Sequence, residues 1–130
     1  MITTADVRDW LKTLTDAEHF YVGKLDNKPD KAIGVYTLTE RGQPQRGIGQ
    51  PLSYDVLAVS VLIHWNQNAR VTEQAARSLF EALYNTSKTT INGHAAHYID
   101  LLVPEPVDVG TDEKGVYERV IEMKIYYERE

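Results

Sequence analysis

Asp55-Val56-Leu57-Ala58-Val59-Ser60-Val61-Leu62-Ile63-His64-Trp65 decides the fold. Leu57, Val59, Val61, Ile63 and Trp65 fall on one face of an extended chain, and Val56, Ala58, Ser60, Leu62 and His64 on the other. Side chains alternate along a strand, so a period of two with apolar residues in both phases describes a strand covered on both sides. The stretch therefore predicts a central strand of a sheet, or one with helices on one face and a neighbour on the other. It is also the longest apolar run, broken by Ser60, and it is far too short to cross a bilayer, so no membrane partner is expected.

Downstream, residues 70–86 carry Ala76, Leu79, Phe80 and Leu83 at the spacing of one helical stripe. Thr72 is the expected N-cap, with Glu73 in the first turn. Residues 88–103 predict a hairpin, because Asn92-Gly93 suits a type I′ turn whose two central residues take positive φ. Pro104-Glu105-Pro106 ends its second strand, and the acidic residues 107–115 read as a loop. Residues 116–127 alternate again. Tyr117, Ile121, Met123, Ile125 and Tyr127 point one way, interrupted by Arg119, while Glu118, Glu122 and Lys124 point the other, which predicts a half-buried strand with one polar face.

Upstream, Val7, Trp10, Leu11 and Leu14 form the stripe of a first helix, with Thr3 or Thr4 as its cap and Asp6 near the positive end of its dipole. His19-Phe20-Tyr21-Val22 is a short β-prone run stopped by Gly23, and residues 32–38 resume strand character. Residues 40–53 differ from all of this. They hold three glycines, two prolines and three glutamines, with Arg41 and Arg46, and predict a long mobile loop between two strands. The order of elements predicts a single α+β domain over residues 1–130, a mainly antiparallel sheet with two helices packed on one face.

The bulk properties agree with one core. At 130 residues with 42% hydrophobic and 25% charged residues, the chain has a globular composition. A net charge of −5 disfavours a nonspecific nucleic-acid binder, which needs a basic face. There is no cysteine, hence no thiolate nucleophile and no sulfur metal site, as suits a protein made in a reducing cytoplasm. Met1 to Asp6 shows no basic region followed by an apolar one, so no signal peptide is expected.

Catalytic patterns are missing. No Gly-x-Ser-x-Gly elbow occurs, and Gly47-Ile48-Gly49 is followed by neither a P-loop lysine nor a helix. His94 and His97, three apart in a predicted strand, face opposite sides and read as surface histidines instead of metal ligands. No catalytic residue, cofactor or metal is expected. The eight tyrosines against two phenylalanines say more, since tyrosine packs its ring and still offers a hydroxyl at an interface. Tyr117, Tyr126 and Tyr127 crowd the final strand as candidate contacts, with ordinary sheet packing as the alternative.

The stretch Tyr54-Asp55-Val56-Leu57-Ala58-Val59-Ser60-Val61-Leu62-Ile63, followed by Ala75-Ala76-Arg77-Ser78-Leu79-Phe80-Glu81-Ala82-Leu83, resembles the strand-then-helix core of the tail-terminator and minor capsid proteins of long-tailed bacteriophages. A terminal strand after a turn such as Gly110-Thr111-Asp112 is similar too. The resemblance covers nearly the whole chain and implies a virion protein at the head–tail junction without an active site. It implies a homo-oligomeric ring, typically a hexamer, that caps the tail tube and meets tail-tube and head-connector proteins while DNA passes through without specific binding. Arg41, Gln43, Gln45, Arg46, Ile48 and Gln50 are then candidate loop contacts with a neighbour. Two other classes stay open: a small enzyme or ligand-binding domain using His64, Asp100 and Glu122, and an adaptor that adds a strand to a partner through a sheet edge.

Overall fold

The computed structural model describes residues 1–25, 29–38 and 54–128 in full, and residues 46–47 and 50–51 as backbone. Two long strands form its spine. β5 (Tyr54–His64) pairs antiparallel with β9 (Tyr117–Glu128), from Tyr54 opposite Glu128 to His64 opposite Glu118. β2 (Ala32–Thr37) lies antiparallel on the other side of β5, and β1 (His19–Val22) runs parallel to β2 at the margin. Beyond β9 lies β7 (His94–Leu101), then β6 (Thr89–Ile91), giving the order β1-β2-β5-β9-β7-β6. The fold is α+β with a mainly antiparallel sheet.

The core follows from the alternation. Val59, Val61 and Ile63 of β5 stand in rows with Met123, Ile121 and Arg119 of β9, and all but Arg119 are fully buried with Ile33, Val35 and Ile125. Two helices, α1 (Thr4–Leu11) and α2 (Ala69–Tyr84), add Val7, Trp10 and Leu11, and Ala76, Leu79 and Leu83, to this same cluster. Each fully buried aliphatic side chain contributes about 1.5–3 kcal/mol of transfer free energy.

Helix starts obey local chemistry. Thr3 caps α1 in a capping box: its Oγ1 accepts from the Asp6 N–H at 3.2 Å, and its own N–H donates to Asp6 Oδ2 at 2.9 Å. α2 begins earlier than its apolar stripe implies. Asn68, not Thr72, is the N-cap, its Oδ1 accepting from the Val71 N–H at 3.1 Å. Asparagine caps at least as well as threonine. Thr72 is instead buried inside the helix, its hydroxyl near the Asn66 carbonyl. The Asn92-Gly93 turn is present, with φ of 47° and 77°.

Two expected loops differ. Within residues 107–115, Val107–Thr111 is a strand, β8, paired antiparallel with the first part of β9. β7 covers only the later part of β9, so the earlier part has backbone groups to pair, and β8 takes them. Within residues 40–53, β3 (Arg46–Gly47) and β4 (Gln50–Pro51) form a small separate antiparallel pair. The expected mobility of that segment, and the side chains of Arg41, Gln43, Gln45, Arg46, Ile48 and Gln50, lie outside the described residues.

Candidate assembly surfaces

Residues that oppose each other across a sheet share a face, so the register sorts the tyrosines. Tyr21 stands in a row with Gly34, Leu62 and Val120, Tyr36 with Ser60 and Glu122, and Tyr54, Tyr98 and Tyr126 are in the same phase. Five of the eight tyrosines therefore point away from the buried cluster. Tyr126 lies between Tyr54 and Tyr98, with ring centroids 6.0 and 5.6 Å away. These rings, His97 and Glu128 line an open hollow of about 460 Å³. Gly34 leaves room on this face: a Cβ there would stand 3.0 Å from both the Leu25 side chain and the Tyr36 ring. Burial holds the Tyr36 hydroxyl above its ordinary pKa, and the Glu118 carboxylate adds to the shift.

The adjacent tyrosines of β9 separate by parity. Tyr126 is half-buried on the tyrosine-rich face, whereas Tyr127 is 2% exposed and its hydroxyl accepts from the Ile2 N–H at 3.3 Å. Tyr127 thus holds the N-terminus onto the core, and Tyr117 is half-buried beside the turn after β5. Sequence reasoning missed Tyr21, Tyr36, Tyr54 and Tyr98. Their parity relative to Val61 and Ile121 carried the signal, but only the register reveals it.

The polar groups proposed for a pocket do not meet. His64 lies opposite Glu118, Glu122 opposite Ser60, and Asp100 opposite Lys124. Six residues separate the rows of His64 and Asp100 along β9, about 20 Å at the rise of a strand. His64 is fully buried, its Nδ1 donating to Glu118 Oε2 at 2.9 Å and its Nε2 lying 3.7 Å from Asp112 Oδ2. Asp112 Oδ1 accepts from the N–H groups of Lys114 and Val116, at 2.8 and 3.0 Å. The imidazole therefore joins the end of β5 to both sides of the β8–β9 turn. His94 and His97 also diverge from one another: His94 Nδ1 donates to the Glu128 carbonyl, and His97 Nε2 to the Glu128 carboxylate. Among the described residues, no group of three His, Asp or Glu side chains could hold a metal.

This geometry positions side chains for packing and pairing. Its sequence matches the family described as bacteriophage tail terminator protein over residues 1–129. The chain belongs to that family. No curated protein matches it. The family is a structural one and not a family of enzymes, so this tail terminator is a structural phage protein of the tail end and a virion component. Its described surface includes the tyrosine-rich face and the sheet margins at β1, β6 and β8.

Proposed function

We propose that this tail terminator caps the tail tube as an oligomeric ring at the head–tail junction, made in the host cytoplasm and retained in the virion. The family match over residues 1–129 carries this reading. In it, both helices pack on one face of the sheet, and the tyrosine-rich face and sheet margins are left for neighbouring copies, tail-tube proteins and head-connector proteins. Rings passing DNA need no basic grip on phosphate, and a net charge of −5 is consistent with a lumen that releases the genome.

The test is made on particles. Gold-labelled antibody against the protein is expected at the head-proximal end of the tail, and phage lacking it should accumulate tails unjoined to heads. Protein absent from purified virions, or distributed along the tube, would refute the proposal.

A further inference from the structure

Building on the ring reading, we propose that neighbouring copies join through one continuous β-sheet, with β8 of one copy pairing antiparallel with β1 of the next. A repeating contact of this kind needs two different surfaces that fit each other. Among the described residues the sheet ends in β1 on one side and in β8 and β6 on the other, each pairing a single strand; β6 is level with the late part of β9, near Tyr127, and only β8 is level with β1. All five residues of β8 are exposed, with Val107 at 42% and Val109 at 49%. An exposed edge strand with outward valines invites pairing by another chain.

Direction and level both fit. β5 runs opposite to β2 and β9, β1 runs with β2, and β8 runs opposite to β9, so β8 and β1 are antiparallel to each other. Following the register across the sheet, Tyr21, Gly34, Leu62, Val120 and Val107 form one row, and Phe20, Ile33, Ile63, Arg119 and Asp108 the next. The two margins thus sit at the same height on the sheet. A copy displaced sideways, without axial rise, brings them together. Side-by-side contacts of that kind close into rings, whereas a rise at each step gives open filaments.

The backbone groups also match. The N–H groups of His19 and Gly23 donate to the Lys31 and Val35 carbonyls, so Phe20, in the other phase, turns its N–H and C=O outward. On the other margin, Tyr117 exchanges hydrogen bonds with Trp65 and Asn66 on the β5 side, so Glu118 and Val120 face β8. Val107, opposite Val120, faces back, and the Gly110 N–H donates to Asp108 Oδ1 at 2.9 Å across the irregularity, leaving the Asp108 backbone turned outward. Asp108 and Phe20 of the next copy then form a hydrogen-bonded pair, with Val107 beside Tyr21 in the closer, non-hydrogen-bonded position. Pro106 and the irregularity between Asp108 and Gly110 keep the pairable stretch short, which holds this register.

The chain contains no cysteine, so introduced thiols report without background. Purified Val107→Cys and Tyr21→Cys variants are mixed, treated with a short bis-maleimide and run on a denaturing gel, with mass followed by light scattering. The expected result is an oligomer in which the mixture, but neither variant alone, gives a crosslinked dimer. An oligomer without that mixed product, or with Val107→Cys linking to itself, overturns the shared sheet and leaves the ring standing. A monomer at every concentration without crosslinks overturns the shared sheet as well, while the ring at the tail end is judged separately on particles. A second pair separates backbone from side chain. Asp108→Pro removes the outward N–H and should dissociate the oligomer, whereas Asp108→Asn keeps both that N–H and the side-chain oxygen that accepts from the Gly110 N–H and should leave the oligomer intact, with folding of each checked by circular dichroism. Equal behaviour of the two folded variants overturns the proposal.

Discussion

Replacing His64 with alanine tests whether the buried imidazole is a structural tie. The wild-type ring is fully buried and donates to a carboxylate, an interaction worth about 1.5–3 kcal/mol. Truncation also leaves a cavity under the end of β5, and such losses run to about 24 cal/mol per Å³ of residual volume. Two features limit the cost. Glu118 is 18% exposed and can take up water, and Asp112 keeps its two backbone donors. The expected loss is therefore about 3 kcal/mol, at the low end for breaking a buried pair. Urea unfolding followed by far-ultraviolet circular dichroism should show a midpoint lowered by roughly 1.5 M with an unchanged slope, taking a slope of about 2 kcal/mol/M. A cycle with Glu118→Gln should give a coupling of about 1 kcal/mol or more. A loss below about 1 kcal/mol, or strictly additive effects, would refute the argument that the imidazole joins β5 to β9.

Two further outcomes follow from the N-terminal segment. The Thr3 N–H bonded to the Asp6 carboxylate holds that group below its ordinary pKa, so its contribution is present above about pH 3.9 and fades as pH falls through the lowered value; Asp6→Asn should flatten the acid limb of thermal midpoint against pH. Tyr127→Phe removes the acceptor for the buried Ile2 N–H and should cost about 1 kcal/mol, with faster amide exchange at Ile2 than in the wild type.

The parts of the fold that announce themselves in sequence are those where burial alternates. β9 shows a period of two because one phase faces the core, β5 stands out as a long apolar run of strand length, and α1 and α2 show a helical period because one stripe of each is buried. The hairpin between β6 and β7 was legible from turn chemistry alone, since Asn92 and Gly93 suit positive φ. β8 was not legible. Every one of its residues is exposed, so no apolar phase distinguishes it from a loop, and it is a strand because β9 has an uncovered stretch to pair. Asn68 and Thr72 are both competent caps, and choosing between them requires knowing where the chain leaves β5. The same limit governs the surfaces. Tyr126 and Tyr127 are neighbours in sequence, and their opposite situations depend on which phase of β9 joins the buried cluster. That His64 meets Glu118 and not Glu122 is a matter of pairing register between strands more than fifty residues apart.

The row-by-row alignment of the two sheet margins has a mechanical meaning. If the proposed ring sets its strands along its axis, the path around its wall crosses β1, β2, β5, β9 and β8, then steps to the next copy. Those five steps of about 4.8 Å make each copy about 24 Å of circumference, so a hexamer measures about 46 Å across at mid-sheet. Each added or lost copy changes that width by about 8 Å, which makes the bore a quantity set by strand number and copy number instead of by side-chain size. The wall is then hooped: hydrogen bonds run around the circumference, and any outward push loads the rows of the ladder together. The weakest hoop is the short β8–β1 row, so a ring forced wider would part between copies while each subunit stayed folded.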